Sequence, residues 1–194
     1  MLNNYSPVYT CNVYLVLGTW STLEDVNTLV DTGSDGSLLA EVEKIYTGVG
    51  KNGVDRVILT HSHFDHAGGL PTIVQKYRPE VYSFAQINMN DKPLSDGQLI
   101  RLGDGDFEVI HAPAHSHDSI CLYCVKERVL FSGDTPLNIR SPGGSYARSF
   151  VDLLERLSRL EIDVIYSGHG EPARKRPAEM IRNTLINVKK SSVT

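Results

Sequence analysis

The 194-residue chain is short of several things, and each shortage removes a class of protein. It has three cysteines, Cys11, Cys121 and Cys124, an odd number with no disulfide-framework spacing. Cys121 and Cys124 sit in "SICLYCV", a strand-like run. Residues three apart on a strand point to opposite faces, so this pair is not expected to hold a metal. No apolar run approaches membrane length, and Val13–Leu17 is too short for a signal-peptide core. The first twenty residues contain no Lys or Arg. The expectation is a cytoplasmic protein with no membrane partner. Positive charge is also lacking. Nineteen Lys and Arg face 23 Asp and Glu, a net charge of −4, which argues against bulk nucleic-acid binding. No repeat, low-complexity tract or linker interrupts the chain. One domain over residues 1–194 is expected, long enough to bury a core without staples.

What is present is a series of β-type runs alternating with helical patterns. Strands are expected at Asn12–Leu17, Asn27–Val30, Asp55–Thr60, Glu80–Phe84, Gln98–Leu102, Phe107–His111, Ser119–Val125, Val129–Ser132 and near the start of "DVIYSGHG" (Asp163–Gly170). "DRVILT" is continuously apolar at its centre, as in a strand buried on both faces. Helical spacing runs over Asp35–Tyr46, Gly68–Tyr77, Ser149–Leu160 and Arg176–Lys190, the third strongly amphipathic. The class is therefore α/β, with polar residues collected on loops at strand ends.

Those loops carry the chemistry. "THSHFDHAGGL" (Thr60–Leu70) puts His61, His63, Asp65 and His66 within six residues, using three of the chain's seven histidines. Asp31, His111 with His115 and His117, Asp134, and His169 each follow another predicted strand. Metal-competent residues at successive strand ends mean one site assembled from several loops. Imidazole and carboxylate without thiolate suit Zn²⁺, Fe or Mn²⁺. His61, His63, Asp65, His66, His115, Asp134 and His169 exceed the needs of one tetrahedral ion and suit two sharing a carboxylate. Cations also gather near the C-terminus: Arg174, Lys175, Arg176, Arg182, Lys189 and Lys190 accompany one acid, Glu179. A solvated helix face explains most of that charge, and reception of an anionic substrate is the other reading.

"HSHFDHAGG", "APAHSHDSI", "FSGDTP" and "YSGHG", in this order, resemble the motifs of the metallo-β-lactamase superfamily. "CNVYLV" and "LVDTGSD" resemble its opening strands. The resemblance implies a four-layer αββα sandwich, two mixed β-sheets flanked by helices, with the metal site along one edge. By analogy His61, His63 and His115 would hold a first metal. Asp65, His66 and His169 would hold a second, and Asp134 would bridge them. Asp31 would orient a ligand histidine by accepting its other ring N–H; it also reads as a turn-forming aspartate. His111 reads as a strand-end residue. Relatives often carry a glycine where this chain has Ala114, and His117 and Asp118 depart from the pattern too. His117 is a candidate proton shuttle or substrate contact, and Tyr146 a candidate contact to the substrate oxygen. The loops Leu137–Arg148 and Ser83–Pro93 are expected to wall the pocket.

Fold does not choose a reaction. Asp134 stands where family β-lactamases often carry a cysteine, which resembles the thioesterase, lactonase and nuclease branches. The reading that follows is a glyoxalase II-like hydrolase of a small acyl substrate, a thioester. It would use two divalent ions, Zn before Fe or Mn, with a bridging hydroxide as nucleophile and Asp65 accepting its hydrogen bond. A lactonase, a phosphodiesterase, a mononuclear iron persulfide dioxygenase and a metal-binding module without catalysis remain alternatives. Monomer and homodimer are both open.

Overall fold

Side-chain alternation along the strands fills two cores at once. The structure, a computed structural model, describes residues 1–2, 6–19, 25–45, 47, 51–86 and 91–194. In chain order the elements are β1 (Tyr14–Val16), β2 (Thr28–Val30), a 3-10 turn (Gly36–Leu38), α1 (Leu39–Glu43), β3 (Arg56–Ile58), α2 (Phe64–Ala67), α3 (Leu70–Tyr77), β4 (Glu80–Ser83) and β5 (Lys92–Pro93). There follow β6 (Leu99–Leu102), β7 (Gly105–His111), β8 (Ile120–Cys124), β9 (Val129–Gly133), β10 (Ser145–Tyr146), α4 (Arg148–Ser158), β11 (Val164–Ser167), α5 (Pro177–Lys189) and β12 (Ser192–Val193).

Strands β1 to β5 form one mixed sheet in sequence order. The other mixed sheet runs β11-β9-β8-β7-β6, with β11 parallel to β9 and the rest antiparallel. On β3, Val57 faces a cluster with Leu38 of the 3-10 turn, Val42 of α1 and Leu70 and Ile73 of α3, whereas Ile58 faces the second sheet. On β8, Cys121 and Tyr123 face α4 and α5, while Ile120, Leu122 and Cys124 face the first sheet. The inter-sheet core holds Tyr14, Val30 and Ile58 against Leu102, Phe107, Leu122 and Phe131. Helix, sheet, sheet and helix therefore stack as the expected αββα sandwich. Cys121 and Cys124 end in different cores, and both are free thiols.

Helix α4 buries Phe150, Val151, Leu153, Leu154 and Leu157, the stripe its spacing predicts. Helix α5 opens on Pro177, whose missing N–H costs nothing in a first turn. The expected helix over Asp35–Tyr46 is a 3-10 turn followed by α1, ending at Glu43. Asp35 caps it by accepting from the Ser37 N–H at 2.9 Å. Tyr46, and residues 87–90 of the expected Ser83–Pro93 wall, lie outside the described residues. Among the described residues no helix is long and apolar enough to cross a membrane.

Candidate metal centre

Parallel strands bring their carboxyl ends to one edge, where loop residues meet. β2 and β3 are parallel, and Asp31 and His61 follow their ends; β9 and β11 are parallel, and Asp134 and His169 follow theirs. The Ile120 N–H donates to the Thr60 carbonyl at 2.9 Å, which ties the end of β3 to the start of β8 and sets the His115 loop beside His61. The Gly168 N–H donates to Gly133 at 2.8 Å, and the Tyr14 hydroxyl donates to Ser167 at 2.6 Å across the two sheets.

Two groups of donors result, each with its ligand-type atoms within 4.8 Å of one another. His61, His63 and His115 make one, with His63 Nδ1 and His115 Nε2 2.9 Å apart. Asp65, His66, Asp134 and His169 make the other. His169 Nε2 is 3.1 Å from Asp65 Oδ2 and 3.4 Å from Asp134 Oδ2, while His66 Nε2 is 3.3 Å from Asp134 Oδ1. Asp134 also reaches the first group, with Oδ2 3.6 Å from His115 Nε2. The local chain explains the split. His61 and His63 precede α2, His63 on extended backbone at its N-cap, whereas Asp65 and His66 lie within that single turn. The sequence reading placed no helix there.

The donor set fits cations. His61 Nε2 is buried without a hydrogen-bond partner among the described residues, and His66 Nε2 and Asp134 Oδ1, buried 3.3 Å apart, make no well-formed hydrogen bond. An orphaned buried polar atom costs about 1–3 kcal/mol, so three aimed into one cluster call for a ligand. Burial pushes the His61 imidazole down to about 4, and His66 beside it adds to the effect. Burial works against a charged His66 as well, but the Asp31 and Asp134 carboxylates outweigh it and raise this imidazole. Burial works to raise Asp134, yet the His66, His169 and His61 rings hold it down at about 2.

Asp31 backs the second group. It lies 2% exposed at a left-handed φ of 61°, which a strand-end turn must impose on a non-glycine residue. Its Oδ2 is 2.8 Å from His66 Nδ1 and also accepts from the Thr60 hydroxyl, while Oδ1 accepts from the Thr60 N–H at 2.7 Å. Asp118 backs the first group. Its buried carboxylate accepts from the Ser62 N–H, between His61 and His63, at 2.9 Å and from the Ser116 hydroxyl, beside His115, at 2.6 Å. Burial works to raise Asp118, but those donors lower it. The sequence showed Asp118 only as a departure from the family pattern.

Other residues went unread in the sequence. A Cβ at Gly168 would overlap Asp134 Oδ1 and come within 2.7 Å of His66 Cε1, so only glycine fits behind the second group. Cys11 shares a buried cluster with Asp31 and His66, and burial pushes its thiol up to about 11. The exposed Tyr9 ring stacks on His169 with centroids 5.0 Å apart. Gly168 lies in "YSGHG" and Cys11 in "CNVYLV", while Tyr9 lies in neither stretch, and only the folded neighbourhood shows what each of the three touches.

Three candidates stand apart from the donor groups. The His111 ring stacks on Phe84 and its Nε2 is 2.8 Å from the His117 carbonyl oxygen, a strand-end arrangement. His117 is exposed, and its ring joins neither donor group. Tyr146 lies in β10, pairs with β12 and packs its ring on Phe150, within the α4–α5 core rather than at the donor cluster. Beside Asp134 and His169 a groove of about 440 Å³ runs along Thr135–Ile139 towards Met180. The Leu137–Arg148 loop thus supplies part of a wall beside the site.

The family model for the metallo-beta-lactamase superfamily matches residues 6–90 and 83–169. An "Atrochrysone carboxyl ACP thioesterase" of Aspergillus fumigatus is 29% identical over 185 residues, 89% of this chain and 44% of that protein. The "Lactamase-like protein aptB" of Emericella nidulans is 31% identical over 177 residues, 87% of this chain and 54% of that protein. The chain thus spans about half the length of these relatives. Among solved structures, TTHA1623 in a di-iron-bound form superimposes with a TM-score of 0.70 at 23% identity, covering 95% of this chain and 98% of that one.

Proposed function

The chain belongs to the metallo-β-lactamase superfamily, and from that premise we propose that it is a metal-dependent hydrolase of a small acyl thioester, working at two divalent ions. The observation that carries the reading is Asp134, which stands within 3.6 Å of donors in both groups. One carboxylate placed between a three-histidine group and a mixed group is the arrangement two neighbouring ions require. The relatives named as ACP thioesterases support the acyl-thioester side of the reading.

His61, His63 and His115 would hold one ion, and Asp65, His66 and His169 the other, with Asp134 shared. When bound, two such ions supply Lewis acidity at a carbonyl oxygen and bring the pKa of water towards neutrality. The protein's own groups do the rest. Asp31 keeps the His66 ring in one orientation, with Nε2 turned to the cluster. Asp65 accepts the hydrogen bond of the attacking water and directs its oxygen to the carbonyl carbon. The carbon–sulfur bond then breaks, and the thiolate leaves along the groove beside His169 and takes a proton from solvent. Zn, Fe and Mn all suit the donor set.

The test is elemental analysis of the full chain purified without added metal, joined to turnover of a thioester beside a homoserine lactone. About two ions per chain with thioester turnover is the expected result. Lactone turnover alone moves the reading to a lactonase. One iron per chain with oxygen uptake replaces it by oxygen chemistry, and failure on both substrates ends the acyl-hydrolase reading.

A further inference from the structure

The groove beside Asp134 and His169 does not end at Met180. Asn138, Ile139 and Met180 also line a second cavity of about 470 Å³, whose lining adds Arg140, Lys175 and Arg176, none of which lines the groove. The protein is acidic overall, yet this end of the groove is cationic. Arg176 is taken up by Glu179 at 3.3 Å. Arg140 and Lys175 have no ion pair among the described residues, so two unpaired cations line the cavity that adjoins the groove.

The segment that presents Arg140 is pinned to α5. The buried Thr184 hydroxyl donates to Leu137 at 2.7 Å and accepts from the Ile139 N–H at 3.0 Å, and the Asn187 amide donates to Ile139 at 2.8 Å. A wall held in this way loses little freedom when a ligand arrives. The shared lining is apolar at Ile139 and Met180, Leu137 adds to it in the groove, and the Asn138 and Asn183 amides offer hydrogen bonds.

We propose that this second cavity is a subsite for the 4′-phosphopantetheine arm of the thioester: its phosphate on Arg140 and Lys175, its two amides at Asn138 and Asn183, and its sulfur at the donor cluster. The inference rests on the thioester reading and deepens it by naming the leaving group. The sulfur end of the arm finds Asp134 and His169 in the groove, the phosphate end finds Arg140 and Lys175 in the second cavity, and the two cavities adjoin at Asn138, Ile139 and Met180. Coenzyme A and acyl carrier proteins both carry it, and the phosphate is common to the two.

The test is a calorimetric titration of the metal-loaded full chain with 4′-phosphopantetheine and with pantetheine. The phosphorylated arm should bind on the order of ten- to a hundredfold tighter, the worth of one or two charge-assisted hydrogen bonds. That advantage should shrink in salt and vanish in the Arg140→Ala/Lys175→Ala double variant. It should persist in Lys126→Ala, a cation on the β8–β9 turn at the other end of the strand. An Arg140→Gln/Lys175→Gln variant gives the same reading if the alanine protein folds poorly. Equal binding of the two arms, or an advantage that survives the double variant, overturns the proposal. Turnover of the matched thioesters is read separately. A phosphate advantage without hydrolysis keeps the subsite and removes the thioesterase reading, whereas hydrolysis without a phosphate advantage does the reverse. Tighter binding of coenzyme A, or of a phosphopantetheinylated carrier protein, identifies the source, and either supports the subsite.

Discussion

The two donor groups at the site edge are built on different principles. His61, His63 and His115 form an all-imidazole set, two of them exposed, whose loops are clamped by Asp118 through Ser62 and Ser116. Asp65, His66, Asp134 and His169 form a more enclosed set with two carboxylates, in which Asp31 reaches His66 directly. Asp118 holds the first through the serines beside its ligands, one by its backbone N–H and one by its hydroxyl, whereas Asp31 holds the second through a ligand's own ring. Clamping of this indirect kind tolerates side-chain adjustment, while a ring held by a carboxylate has one tautomer and one orientation. The enclosed set should therefore be the more demanding of the two.

The largest test of that difference removes what the groups share. Asp134→Ala should lower turnover on the order of a thousandfold, and elemental analysis should find fewer ions per chain. Full metal content with near-normal turnover would show that Asp134 does not join the groups. Next comes a crossed pair. Asp31→Asn should weaken the binding of one ion by about 10–100-fold. Asp118→Ala should weaken the other by less, and Asp118→Asn, which keeps an acceptor oxygen, should recover part of it. Competition with a chromophoric chelator resolves the two binding steps; if both variants lower the same step, the contrast between the groups is wrong.

Gly168→Ala should follow, because its methyl group would displace Asp134 and His66. Overpacking of this kind costs about 1–3 kcal/mol, read as a lowered midpoint in denaturant together with reduced metal content. The smallest effect is at the thiols. Burial pushes Cys11 and Cys121 up to about 11, so at pH 8 both are thiols rather than thiolates. An alkylating reagent should leave them unmodified in the folded protein and label them once it is unfolded. Labelling of Cys11 in the folded chain would mean that the wall behind His66 opens.

Much of this was legible beforehand. The stripe on α4 and the run of β8 were readable because each is a local period answering to a continuous buried face. β5, β10 and β12 were not, since two-residue strands have no period and exist only through pairing with β4 or with each other. α2 was hidden because a single turn carrying histidines has no apolar face to announce it. Tyr146 falls in the Leu137–Arg148 segment expected to wall the pocket, but its ring packs on Phe150 because an aromatic ring beside the α4–α5 core gains more from burial than from solvent.

The sequence by itself determined the layers and the donors. Alternating apolar residues commit each strand to two buried faces, and polar residues at strand ends have nowhere to go but the edge. Which donors meet was implied by the family resemblance and not by the residues' own spacing. His63 and His115 are 52 positions apart and approach to 2.9 Å only because β8 starts beside the end of β3. Asp118 serves the donors through Ser62, 56 positions away, and Gly168 matters only because Asp134 lies against it. Such contacts are set by how two sheets pack, and packing is a property of the whole chain's surfaces rather than of any stretch of it.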